Sequence, residues 1–332
     1  MINYYTYVSI PKSDFDISHK DRFLFAGSCF ADQIGLKMRE HGWDACINPF
    51  GVLYNPFSVA AGCRRLLHPA PFVEGDLFEY NGMVHSFMHH GQFSGPSAAA
   101  VLTQMNDVLS VASSYLPVIS CLVITLGTAY VYRLKSNGRI VANCHKLPAS
   151  HFERELLTVE QIVEEWSVLL DQLFAINASL KVIFTVSPIR HWQDGAHYNQ
   201  ISKSILLLAE HTLTEKYAGR TYYFPAYELM MDELRDYRFY AEDLLHPSQV
   251  AVDYIWERFC DVYMDAATKE DVKAVAAIQR DLLHRPFHLA SEANRQLLMQ
   301  ILNKIKVLKN KNPYICIAKQ EREITDRLQK LT

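Results

Sequence analysis

Arg22-Phe23-Leu24-Phe25-Ala26-Gly27-Ser28-Cys29-Phe30-Ala31 is the stretch on which the fold of this chain turns. An apolar run stops at a glycine, which reads as a buried strand ending in a tight turn. Helical spacing takes over across residues 30–41 and closes at His41-Gly42, a helix stop. The same strand-then-helix unit recurs downstream. Trp43 to Ile47 is a second strand, ended by Asn48-Pro49-Phe50-Gly51, and a helix fits residues 56–67 with Asn55 as cap and Pro56 in its first turn. Ile119–Leu126 and Lys181–Val186 are β-branched apolar runs of the kind found in buried parallel strands, and Thr221–Phe224 is a short fifth. Helices predicted at 98–115, 158–177, 198–217 and 247–263 separate them. Strands alternating with helices predict an α/β fold with a mainly parallel five-stranded sheet covered on both faces.

Two segments break this rhythm. Residues 68–97 are rich in Pro, Gly, His and Phe and read as an insertion laid over the core. Tyr130–Leu134 and Arg139–Ala142 flank Ser136-Asn137-Gly138, and Asn-Gly between alternating runs predicts a hairpin. Beyond about residue 266 the strand signal disappears. Residues 268–309 read as helices, ending in a lysine-spotted stretch whose Lys304, Lys306, Lys309 and Lys311 form a solvated face. The expected organisation is an α/β domain over 1–265 and a C-terminal helical extension over 266–332.

The 332 residues are 49% hydrophobic and 21% charged, enough to bury a full core without a metal or disulfide staple. The net charge of −3 offers no basic field, so nucleic acid and anionic membrane are not expected partners. No basic leader with an apolar run opens the chain, and no apolar stretch is long enough to span a bilayer, so a cytoplasmic protein is expected. Seven cysteines without a CxxC pair argue against a disulfide framework or a zinc site. No metal and no cofactor is called for, and the oligomeric state is left open.

Ligand sites of open α/β sheets lie beyond the carboxyl ends of the strands. After the first strand stands Ser28, near a helix start where free N–H groups favour developing negative charge. Such a serine is either a helix cap or a nucleophile. Cys29 beside it reads as a packed core thiol, although a helix start would lower a thiol pKa. Late in the chain comes Asp243-Leu244-Leu245-His246-Pro247. Asp and His three apart share one face of a helical turn, so the carboxylate can hold Nδ1–H and leave Nε2 to accept a serine proton. A surface Asp–His pair is the plainer reading of that segment taken alone. His85, His89 and His90 cluster in the insertion, either as surface residues or as a lid with His85 reaching into a pocket. His145 and Lys146 follow the hairpin and Arg190 and His191 follow a core strand; the two cations suit an anionic or hydroxyl-rich acceptor, or equally a structural ion pair.

Together, the strand–Gly-Ser–helix unit and Asp-x-x-His-Pro before a late helix resemble the SGNH/GDSL hydrolase superfamily. Gly27-Ser28-Cys29-Phe30-Ala31 is similar to the signature of the GSCFA family, a bacterial branch named for that pentapeptide. Asn48-Pro49-Phe50-Gly51 with Asn55-Pro56, Leu126-Gly127-Thr128, Asn143-Cys144-His145-Lys146 and Ser187-Pro188-Ile189-Arg190-His191 look like the same family, over roughly residues 20–260. The resemblance implies a flavodoxin-like three-layer α/β/α sandwich and acyl-ester chemistry on a small-molecule or carbohydrate-linked ester. Ser28 would attack, His246 would act as base and then acid, and Asp243 would orient it. The oxyanion donors implied are the N–H groups of Ser28 and Gly51. The third block departs from the superfamily's Gly-x-Asn-Asp, reading Gly127-Thr128-Ala129-Tyr130, so Thr128, Asn48 or Asn55 would have to supply the third donor. His85, His145, Lys146, Arg190 and His191 are the substrate-binding candidates. That altered block also leaves open a non-catalytic binding module. A flavodoxin-like nucleotide binder ranks last, because residues 27–31 hold one glycine only.

Overall fold

The computed structural model describes residues 5–283, 288 and 291–331. The strands are β1 (Arg22–Gly27), β2 (Asp44–Ile47), β3 (Phe78–Tyr80), β4 (Met83–His85), β5 (Cys121–Leu126), β6 (Tyr130–Leu134), β7 (Ile140–Val141), β8 (Phe152–Leu156), β9 (Lys181–Val186) and β10 (Thr221–Tyr223). The helices are α1 (Cys29–Glu40), α2 (Pro56–Leu67), α3 (Ala98–Tyr115), α4 (Val159–Ile176), α5 (Gly195–Lys216), the single turn α6 (Ala226–Glu228), α7 (Gln249–Tyr263), α8 (Ala266–Leu283), α9 (Glu292–Lys311) and α10 (Ala318–Gln329).

Five parallel strands form the central sheet in the order β2-β1-β5-β9-β10. Numbered within the sheet this is 2-1-3-4-5, the flavodoxin-like arrangement, whose switch point lies between β1 and β5. Alternation along each strand feeds two cores. Leu24, Leu122 and Ile124 face one side, against α2, α3, α4 and α5 through Val59, Met105, Trp166 and Leu206. Phe23, Phe25 and Val123 face the other, against α1 and α7 through Ile34, Met38, Ile255 and Phe259. The result is a three-layer α/β/α sandwich. Its apolar strands read as continuous runs because both faces are covered.

The structure differs from the sequence reading at two places. The insertion over 68–97 contains a two-stranded hairpin, β3–β4, turned by Asn81 and Gly82 at φ 51° and 70°. That is the Asn-Gly signature of a two-residue turn, masked in the sequence by its short, aromatic flanks. The hairpin expected at 130–142 forms, but β6 also pairs antiparallel with β8, making a three-stranded sheet. The helices expected over 268–309 are α8 and α9, and residues 284–287 and 289–290 of that stretch lie outside the described residues.

The C-terminal helices gather their own apolar cluster around Ile278, Ile301, Ile305, Ile317 and Ile324. They meet the α/β layers at the far end of α1, where Cys316 N–H donates to the Gly42 carbonyl at 2.8 Å. The lysines expected on a solvated face meet acids there: Lys304 with Asp281, Lys309 with Glu321 and Lys311 with Asp271, at 2.8, 2.6 and 2.8 Å. No helix among the described residues is long and apolar enough to cross a membrane.

Candidate active site

At the switch point β1 turns into α1 through Gly27, whose φ is +137°. A Cβ there would sit 2.0 Å from the Thr125 carbonyl oxygen on β5, so only glycine lets the two strands lie this close where the chain turns. Ser28 follows as the helix cap, 1% exposed, its Oγ accepting Phe30 N–H at 3.3 Å. Its own N–H donates to the Thr125 carbonyl at 3.0 Å. Capping and a cleft position coincide in this one residue. Cys29 also lines the cleft, half-buried rather than packed in the core. Burial, reinforced by the Asp32 carboxyl, raises its thiol pKa, outweighing the helix-start effect that favours a thiolate.

Asp243 and His246 sit in the loop before α7, not on a helical turn. Leu244 at φ 57° folds the chain so that one carboxylate spans the loop. Asp243 Oδ1 accepts the N–H groups of Leu245 and His246, each at 2.9 Å, and Oδ2 takes His246 Nδ1 at 2.5 Å. These three bonds hold the Asp243 carboxyl down at about 2, the backbone donors contributing most. The imidazole is thereby oriented with Nε2 left for another partner.

Ser28 and His246 line one cleft of about 670 Å³, together with Tyr54, Asn55, Thr128, Tyr130, Arg154, Arg190 and His191. Ser28 Oγ and His246 Nε2 are not hydrogen-bonded to each other; such contacts commonly tighten only with substrate bound.

Of the expected oxyanion donors, Gly51 is misplaced. Its N–H closes a turn on the Asn48 carbonyl at 2.7 Å, and its α-carbon packs against His90, away from the cleft. Asn48 is also occupied elsewhere. It accepts Gly27 N–H at 2.8 Å and donates to Asp32 at 2.6 Å, bracing the turn from behind. The Ser28 N–H points to Thr125. Asn55 and Thr128 do line the cleft. Asn55 Oδ1 caps α2 by accepting Ser58 N–H at 2.8 Å, and among the described residues no acceptor takes its Nδ2. The Thr128 hydroxyl accepts Tyr130 N–H and meets Ser202 Oγ, both at 3.1 Å.

The substrate-binding candidates divide. His85, His145 and Lys146 lie outside the cleft. His85 bonds Ser94 Oγ at 2.7 Å, and His145 Nε2 meets the Ser86 carbonyl at 2.8 Å. Lys146 is exposed, its side chain turned outward by consecutive left-handed residues at 145 and 146. Arg190 and His191 do line the cleft. His191 packs edge-on to Tyr54 and is pushed down to about 4, chiefly by burial and then by the Lys203 ammonium, so it is neutral near pH 7.

Two features escaped the sequence reading. Lys203 on α5 is fully buried and donates to the Gly127 and Ser187 carbonyls at 2.8 and 2.7 Å, clamping the chain just beyond β5 to the chain just beyond β9. Burial lowers its pKa to about 7. Its only signal was a lysine in helical register with Leu206, Ala209 and Leu213, a face that must be buried. Arg154 pairs with Asp194 at 2.6 Å and lies 3.8 Å over the Tyr130 ring, binding β8 to the wall of the cleft.

The family described as the GSCFA family matches residues 22–259, and its C-terminal domain matches residues 275–330. No curated protein matches the sequence. An acetyl xylan esterase from the rumen bacterium Butyrivibrio proteoclasticus is similar in structure at a TM-score of 0.37 and 9% identity, covering 77% of this chain. The chain spans 64% of that protein's solved length.

Proposed function

Because the chain belongs to the GSCFA family, and because its Asp243–His246 pair and Ser28 share one cleft, we propose that it is a serine esterase or O-acyltransferase of the SGNH type, working through an acyl-enzyme on Ser28. The observation that carries this reading is a buried serine at a helix N-terminus opening onto the same cleft as an imidazole whose other nitrogen is held by a carboxylate at 2.5 Å. A merely capping serine has no need of such a neighbour.

In this mechanism Ser28 Oγ attacks the ester carbonyl and its proton passes to His246 Nε2. Asp243 stays ionised throughout and stabilises the imidazolium. The tetrahedral oxyanion is held by Asn55 Nδ2, with Thr128 beside it. His246 then protonates the departing alcohol. Water, or a second alcohol, attacks the acyl-enzyme with His246 again as base, which gives hydrolysis or transfer respectively. The substrate is a small or carbohydrate-linked acyl ester, a size supported by the cleft of about 670 Å³.

The test is intact-mass spectrometry after incubation with a fluorophosphonate. A single adduct on the wild type, absent from Ser28→Ala and His246→Ala, is the expected result. No adduct on folded wild-type protein removes the hydrolase reading and leaves a binding module built on the same cleft.

A further inference from the structure

The charged side chains lining the cleft are Arg154, Arg190, His191, Asp194 and His246. Arg154 and Asp194 neutralise each other, and His246 is matched by Asp243. His191 is neutral near pH 7. Arg190 remains. Among the described residues it has no ion-pair partner, and its Nε is shielded from solvent without an acceptor. The groups around it are aromatic. The guanidinium lies 6.0 Å from the Trp192 ring, hydrogen-bonds the Tyr227 phenol, and its charge also reaches Tyr240; burial raises both phenol pKa values and Arg190 opposes the rise.

The Lys203 ammonium is close enough to Arg190 for the two like charges to disfavour each other, while the buried Glu210 carboxyl acts on Lys203 in the opposite sense. His191 records the local potential, since after burial the largest influence holding it neutral is Lys203, with Arg154 and His246 acting in the same direction against Asp194. A planar, five-donor cation that lines the cleft without an acid beside it, set in aromatic walls, is matched by a planar or tetrahedral oxyanion.

We propose that Arg190 is the anion-binding residue of this cleft, and that the ester processed there carries a carboxylate or phosphate group. The location is built into the fold, because Arg190 stands four residues beyond β9, on the segment whose Ser187 carbonyl Lys203 anchors. The assignment of the anion to an ester substrate rests on the acyl-transfer reading above. The existence of the anion subsite does not.

Two arms separate these. Binding is measured on Ser28→Ala protein, which turns nothing over, by titrating succinate and, separately, inorganic phosphate and following thermal unfolding. At least one anion raises the midpoint, and Arg190→Gln abolishes the rise while Arg190→Lys retains part of it. Turnover is measured on matched ester pairs: 4-acetoxybenzoate against 4-acetoxybenzamide, with the charge on the alcohol side, and 4-nitrophenyl hydrogen succinate against 4-nitrophenyl butanoate, with the charge on the acyl side. The wild type favours the charged member of one pair by about tenfold in kcat/KM, mainly through KM, and Arg190→Gln brings that ratio to about 1. The pair that responds tells which side of the ester bears the charge. Anion binding that survives Arg190→Gln, or no binding of either anion to the wild-type cleft, overturns the proposal. Arg190-dependent binding with no ester turned over keeps the subsite and removes the esterase reading instead.

Discussion

Asp243 does more than face a histidine. Its two oxygens take three donors inside a four-residue loop, and that local closure is what aims the imidazole. Asp243→Asn keeps the size but presents an amide to Nδ1, favouring the wrong tautomer. On the proposed mechanism it lowers kcat by about 10⁴ with a modest change in KM, checked in esterase assays against the wild type. Asn55 divides its amide between two tasks, capping α2 with Oδ1 and leaving Nδ2 to the cleft. Asn55→Asp preserves the cap oxygen and removes the donor. It is expected to cost about 10²–10³ in kcat while thermal unfolding stays near the wild-type value. Loss of stability without loss of turnover would make Asn55 a cap and nothing more.

At the scale of elements, the cleft exists because strand ends are held at fixed spacing. Gly27 permits the close approach of β1 to β5, and Lys203 fastens the exits of β5 and β9. Gly27→Ala forces a Cβ onto a backbone carbonyl at a φ that L residues rarely adopt. It is expected to destabilise the fold by about 3 kcal/mol, read as a shift in the urea midpoint at unchanged m-value. Lys203→Met leaves two buried carbonyls without donors, each worth about 1–3 kcal/mol, and relieves the cost of burying an ammonium. The net expectation is a loss of about 2 kcal/mol, together with reduced activity because the Gly127 and Ser187 segments lose their common anchor. Much of this layer was legible in the chain. The alternation of apolar runs with helical spacing marked the five sheet strands and the helices that cover them. β8 was not legible, since Phe152-Glu153-Arg154-Glu155-Leu156 is mostly charged and becomes a strand only because β6 offers it a free edge.

For the molecule as a whole, acid stability follows from histidines buried neutral. His89 lies 1% exposed among Phe50, Phe72 and Phe93, and burial pushes it down to about 3. The unfolded chain binds a proton there below about 6.5 and the folded chain does not. The folded state therefore keeps its full stability above that pH and loses it as pH falls, by about 2 kcal/mol at this site between pH 7 and pH 5. Denaturant midpoints at the two pH values measure the slope, and His89→Phe should flatten it; an unchanged slope would mean that His89 does not titrate on unfolding.

What the sequence by itself determined is whatever depends on neighbours along the chain. The βα rhythm, the Gly27 turn with Ser28 behind it, the Asp243–His246 spacing and the cap at Asn55 are set by periodicity, by a glycine's freedom at positive φ, and by side chains reaching backbone two or three residues away. The tertiary structure alone decided where the remaining polar groups spend their hydrogen bonds. Asn48 turned inward to brace the first strand's exit, His85 and His145 bonded to Ser94 and Ser86, Lys203 joined the exits of two strands, and Arg190 was left without an acid. A buried donor takes the nearest acceptor in space, and that acceptor is chosen by how the layers pack rather than by distance along the chain.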